Sequence, residues 1–257
     1  MLNLTTLFIG KTHIHLEEID STNNYARQYI PKGPEGLLIT AAYQSQGRGQ
    51  KSNTWLAERG KNILATLLLY PSFLKASQSF YLNIISSLAI QKGLTFATTH
   101  SIPFFIKWPN DIYAYSQKIA GILIETHIQG YFLENAIIGL GVNINQQNFT
   151  ALPNATSLFR LTNKIWDIST ILSKILEHFE YFYLQLKNHQ FQELLTQYNQ
   201  QLLFKNEIKK FHRMSTPESN YLFEGKIIGV TTQGKLMVQD FYGNIINFLP
   251  HEVQLVL

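Results

Sequence analysis

Two long apolar runs joined by one Gln-Gly pair constrain this chain more than anything else in it. The runs cover residues 118–128 and 131–144, with Gln129-Gly130 between them. Glycine in so short a link lets the backbone reverse, so the spacing predicts an antiparallel hairpin of two strands. Alternation along the first run puts Ile122 and Ile124 on one face, and Leu123 and Glu125 on the other. Further strand-like runs lie at 36–43, 62–70, 104–108 and 112–115. Residues 77–97 carry Leu82, Ile85, Leu88, Ala89 and Leu94 at helical spacing. A short helix is expected from Ser21-Thr22-Asn23-Asn24 to about Tyr29, with Ser or Asn capping its free amides. Asp167 is placed to cap a longer helix whose Ile168, Ile171, Leu172, Ile175, Leu176 and Phe179 share a face. Another helix is expected over 190–204. This is an α+β pattern with a mixed or antiparallel sheet, not a βαβ series.

After Lys205 the pattern changes to short strands at 207–211, 220–230, 235–239 and 244–249. Gln233-Gly234 and Tyr242-Gly243-Asn244 mark turns between them. The reading is a small β-barrel, and so two domains, 1–204 and 205–257. A chain of 257 residues has room for both.

Composition removes several chemistries. There is no cysteine, hence no disulfide, thiolate metal site or thiol nucleophile. That fits a cytoplasmic location. The first residues do not read as a signal peptide. No apolar run approaches the roughly 18–20 residues needed to span a bilayer. The formal charge of +4 comes without a dense Lys/Arg stripe. A local anion patch or an acidic protein partner therefore fits better than nucleic acid.

Four segments carry candidate chemistry. Gly47-Arg48-Gly49-Gln50-Lys51, leading to Trp55, sits between two apolar runs. Its glycines free backbone amides to turn towards an anion, and Arg48 and Lys51 add charge. A solvated basic loop would read the same way, and neither Gly-x-Gly-x-x-Gly nor a Walker motif is present. Lys107-Trp108-Pro109-Asn110-Asp111 offers a phosphate partner, an amide donor and a hard oxygen ligand for Mg²⁺. It also fits a polar turn. Lys118 opens Lys118-Ile119-Ala120-Gly121-Ile122-Leu123-Ile124-Glu125 and can reach into a cleft, or simply lie at the surface. In Gly139-Leu140-Gly141-Val142-Asn143, two strand glycines suggest close approach of a backbone or ligand. No Ser/His/Asp arrangement or His cluster with metal spacing stands out. His13 and His15 read as structural or surface residues. The inventory stabilises negative charge without an obvious protein nucleophile, which favours phosphate or adenylate chemistry.

Taken in order, Ser-Thr-Asn, Gly-Arg-Gly, Lys-Trp-Pro-Asn-Asp, Lys-x-Ala-Gly-Ile-x-x-Glu and Gly-x-Gly-x-Asn resemble the motif set of the biotin protein ligases. The resemblance covers about residues 12–204 and the small C-terminal region. It implies the biotin/lipoate protein ligase catalytic fold with an SH3-like barrel, and formation of biotinyl-5′-AMP from biotin and ATP. Biotin then passes to a lysine of a biotin carboxyl carrier protein. On matching positions, Ser21, Thr22 and Asn23 would line the biotin ring pocket beside Gln44. Arg48, Gly49 and Gln50 would close over biotin and its adenylate. Lys118 would meet the biotin carboxylate or acyl phosphate, and Lys107 the α-phosphate. Asp111 would hold Mg²⁺ or assist the acceptor lysine. Trp55 would cover the adenine and Asn143 contact the nucleotide, with Asn110 and Gly121 also in the binding set. Relatives often carry arginine where Gln50 stands and another basic residue where Asn53 stands, with Lys51 here in a position to compensate. The residues before Ser21 are too few for a helix-turn-helix domain, so DNA binding is not expected. A homodimer is compatible with the resemblance. A lipoate or octanoate ligase of the same fold and a non-catalytic biotin sensor are the alternatives.

Overall fold

A computed structural model describes residues 2–50, 53–214 and 220–256. Seven strands form one mixed sheet: β1 (His13–Leu16), β2 (Leu37–Ala41), β3 (Asn62–Leu69), β4 (Phe104–Lys107), β5 (Asp111–Ala114), β6 (Gln117–Gln129) and β7 (Phe132–Asn143). Their spatial order is β1-β2-β3-β7-β6-β5-β4. Only β1 and β2 run parallel. The expected hairpin is β6–β7, turning at Gly130 with φ +61°. The expected faces of β6 also hold: Ile122 and Ile124 join the main core, while Glu125 meets polar partners on the other side.

The helices are α1 (Thr22–Ala26), α2 (Phe80–Ala97), α3 (Leu158–Thr162), α4 (Ile168–Lys187) and α5 (Phe191–Gln200). The continuous core contains residues of α2, α4 and α5 together with one face of the sheet. Buried residues occur all around α2, as expected of a helix enclosed by its neighbours. On the opposite face, Ala26 of α1 packs with Leu37, Ile39, Leu68 and Ile137. Covered on both faces, β3 is buried along its whole length.

Asp167 caps α4 by accepting from the Ser169 and Thr170 amides, and these bonds with the two hydroxyls hold its carboxyl below the usual pKa. Asp167→Ala should lower stability by about 1 kcal/mol, read as a shifted urea midpoint with an unchanged slope. At α1 the expected cap is absent. Ser21 has extended backbone there but makes no capping bond, and the Thr22 amide instead donates to Gln44 Oε1 at 2.7 Å. The helix is also shorter than expected and ends in a 3-10 turn over Arg27–Tyr29.

The remaining strands, β8 (Ile208–Met214), β9 (Asn220–Val230), β10 (Leu236–Gln239), β11 (Ile245–Phe248) and β12 (Val253–Leu255), form a separate antiparallel sheet. Its order is β11-β10-β9-β8-β12. The expected barrel is thus a five-stranded sheet whose edge strands do not pair among the described residues. Phe211, Val238 and Phe248 are buried in it. Val230 and Leu236 of this sheet join the continuous core, Gly234 lies against the Phe80 ring, and polar contacts add to this. Trp108 Nε1 donates to the Gly234 carbonyl at 3.0 Å, and Asn199 Oδ1 accepts from the Val230 amide at 2.8 Å.

Candidate active site

A cleft opens beside β5, β6 and β7, at the start of α1. Ser21, Thr22 and Asn23 form one wall with Gln44. Ser21, Thr22 and Asn23 are buried, and Thr22 and Asn23 find polar partners here, as burial requires. Gln44 Oε1 accepts from both the amide and the hydroxyl of Thr22. The Thr66 hydroxyl lies 2.8 Å from Thr22 Oγ1 and 2.7 Å from Asn23 Oδ1. Asn23 Nδ2 donates onward to Glu125 Oε2 at 3.0 Å.

The floor comes from strand residues without side chains. A Cβ on Gly139 would lie 2.5 Å from Asn23 Oδ1, and one on Gly141 2.5 Å from the Trp55 ring. Each approach is closer than any other residue type allows, which is the close contact expected of this segment.

Over the floor lies the Gly-rich loop, folded as a small hairpin. The Gly49 amide donates to the Asn53 carbonyl at 2.8 Å, and the Trp55 amide to the Gly47 carbonyl at 2.9 Å. Arg48, Gly49 and Gln50 face the cleft. Lys51 falls outside the described residues. Trp55 packs against Gly121 and Gly141, and its buried Nε1 has no hydrogen-bond partner. A second cavity, lined by Tyr43, Leu56 and Phe149, shares Gln44, Thr54 and Trp55 with the cleft.

Charge gathers at the other end. Lys118 Nζ lies 2.7 Å from Asp111 Oδ1 and 5.7 Å from the Trp55 ring centre. Asn110 is buried, donating through Nδ2 to the Ile122 carbonyl. Its turn is held from outside by the Tyr198 hydroxyl, which donates to the Pro109 carbonyl at 3.0 Å. Tyr198→Phe should cost about 1 kcal/mol of stability, since a partly buried carbonyl loses its partner; thermal unfolding reads this directly.

Two of the expected site residues do not line the cleft. Lys107 stands 5.2 Å from the Tyr113 ring centre. Burial pulls its ammonium below the usual lysine pKa, Asp111 opposes that shift, and Lys118 adds to it. Asn143 is turned into the protein, donating to the Thr156 carbonyl, and its Oδ1 is left without a partner. The remaining expected residues, including Gly121, border the cleft. Thr66, Arg27 and Tyr198 join the network without a motif to announce them.

Among the described residues, no group of three or more His, Cys, Asp or Glu is placed to hold a metal. Asp111 is a single carboxylate already paired with Lys118. That donor set fits Mg²⁺ only in the manner of one carboxylate beside substrate phosphates. No helix of the described residues is long and apolar enough to cross a membrane.

Residues 16–143 match the model of the biotin/lipoate A/B protein ligase family. A Bacillus spizizenii protein named bifunctional ligase/repressor BirA is 30% identical over 243 residues, covering 92% of this chain and 72% of that protein. A Paracoccus denitrificans biotin–[acetyl-CoA-carboxylase] ligase is 34% identical over 131 residues, 50% of this chain and 53% of its own length. The structure of biotin protein ligase from Aquifex aeolicus in complex with biotin and ATP superposes with a TM-score of 0.80 at 27% identity, covering 96% of this chain and 99% of that one. With these motifs, this sheet and this cleft, the chain belongs to the biotin/lipoate A/B protein ligase family.

Proposed function

We propose that this protein is a biotin–[acetyl-CoA-carboxylase] ligase: it activates biotin with ATP as biotinyl-5′-AMP and joins biotin to a lysine of a biotin carboxyl carrier protein. One observation carries the reading. A single cleft has an uncharged wall of Thr22, Asn23 and Gln44 at one end and the Lys118–Asp111 pair at the other. A ureido ring needs neutral hydrogen-bonding partners, and a reacting carboxylate needs cations. The ligands named for the Aquifex aeolicus structure, biotin and ATP, support it.

In the first step a biotin carboxylate oxygen attacks the α-phosphorus of ATP and pyrophosphate leaves. Lys118 and Arg48 hold the carboxylate, and Lys107 adds positive charge behind Asp111 for the α-phosphate. Mg²⁺, arriving with the nucleotide, would neutralise its phosphates, and Asp111 is the residue that would meet it. The aromatic second cavity beside Trp55 suits the adenine, with Gly49, Gln50, Asn110 and Gly121 closing the binding set; Asn143 would have to leave the Thr156 carbonyl to contact the nucleotide. In the second step the neutral lysine amine attacks the acyl carbon and AMP leaves. Asp111 takes the amine's proton once Lys118 has shifted to the substrate. The Gly-rich hairpin keeps water from the anhydride.

Residues 1–204 would carry this chemistry and 205–257 a small second domain. A cytoplasmic location, an absence of DNA and membrane partners, and a homodimer complete the proposal. The test is to incubate the chain with biotin, ATP, Mg²⁺ and a carboxyl carrier domain. The carrier gains the mass of one biotinyl group. A carrier modified by lipoate, and left unmodified by biotin, would select the lipoate ligase reading instead.

A further inference from the structure

Glu125 sits at the edge of the cleft without lining it, yet four donors from three side chains besides its own strand's converge on it. Oε1 accepts from Arg27 Nη2 at 2.6 Å and from Arg48 Nη2 at 3.1 Å. Oε2 accepts from Asn23 Nδ2 at 3.0 Å and lies 3.4 Å from Arg48 Nη1. The two arginines differ. Arg27, just past the end of α1, does not line the cleft, whereas Arg48 borders it and carries the Gly-rich hairpin. Arg48 also donates to Asn24 Oδ1 at 3.0 Å, so one guanidinium ties the loop to both α1 and β6.

One carboxylate with two guanidinium partners can release one of them without being stranded as an uncompensated charge. The closer pair, with Arg27, is the one that stays. The longer pair, with Arg48, is the one that an anion entering the cleft can take over. We infer that Glu125 is a positioning residue of an exchange: it parks Arg48 while the cleft holds no anion and yields it to the substrate carboxylate, with Arg27 keeping Glu125 neutralised throughout. The inference rests on the reading of the cleft as a biotin site. Its signature is a pair of opposite effects. Removing the charge of Glu125 frees Arg48 and tightens carboxylate binding. Removing Arg27 leaves Glu125 a stronger competitor for Arg48 and weakens it.

Titration calorimetry on the full chain, with biotin and with biotin alcohol as probes, tests the exchange. Glu125→Gln keeps an acceptor for Asn23 Nδ2 and loses the charge. The expected result is biotin bound about two- to fivefold tighter by Glu125→Gln and about two- to fivefold weaker by Arg27→Ala, the range for a partly exposed ion pair. Both shifts should shrink as salt is added. Biotin alcohol, which has no carboxylate, should bind all three proteins equally. A role confined to holding the fold would move both probes together. If both variants shift biotin in one direction, or shift the alcohol as much as biotin, the exchange is overturned while the biotin site stands. A wild-type chain that binds neither probe overturns the site itself. Should Glu125→Gln not fold, Arg27→Ala decides alone, since Arg27 is half exposed and its loss leaves the core untouched.

Discussion

Lys118→Ala should lower biotin-dependent pyrophosphate release by about 10²–10³-fold, the usual loss when one pre-positioned charge is taken from a developing anion. The geometry makes Lys118 hard to replace. Its ammonium is held 2.7 Å from Asp111 and lies against Trp55 and the bare backbone of Gly121. No other cation among the described residues forms a close ion pair with Asp111, so the variant leaves that carboxylate with the more distant charge of Lys107 alone. Lys118→Arg keeps the charge, but its broader planar head must fit the same gap, so only part of the rate should return. The side chain is a third exposed, and the alanine variant should fold. Near-wild-type pyrophosphate release by that variant would remove Lys118 from the chemistry.

Gly139→Ala should weaken biotin binding at least about tenfold, roughly 1.4 kcal/mol, and cost about 1–3 kcal/mol of stability. The new Cβ would stand 2.5 Å from Asn23 Oδ1. The backbone cannot retreat, because β7 is paired on both sides, to β3 and to β6. Asn23 must move, and with it the bonds to Thr66 and Glu125. Titration with biotin and chemical denaturation of the same preparation read the two losses separately. Unchanged biotin affinity would show that Asn23 does not shape the ligand's place.

The parts of the fold that were legible rest on short-range rules. The β6–β7 hairpin follows from two runs and a Gln-Gly turn, and the α4 cap from an aspartate two and three residues before its donors. The cleft followed from motifs, and most of their residues do border it. What failed to read were distant partnerships. Ser21 looks like a helix cap, but Gln44, far along the chain, takes the amide. Lys107 and Asn143 lie on the cleft's side of their strands, one opposite Asp111 and the other two residues past Gly141, but the Tyr113 ring and the Thr156 carbonyl hold their side chains beyond its lining. Arg27, Thr66 and Tyr198 belong to no motif, and only tertiary contact gives them a part. The second sheet was legible as strands, but edge pairing depends on long-range closure that turn signals do not encode.

The hydrogen bond from Trp108 to the Gly234 carbonyl has a bearing on biosynthesis. The turn carrying Asp111 receives that tether only from a residue made more than a hundred positions later. Tyr198, its other clamp, is also late in the chain. On a ribosome, the central sheet and its β4–β5 turn can pair as soon as β7 has emerged, while the outer ties of that turn wait for Tyr198 and Gly234. A nascent chain would therefore hold a formed cleft before the turn beside Asp111 has received both of these ties.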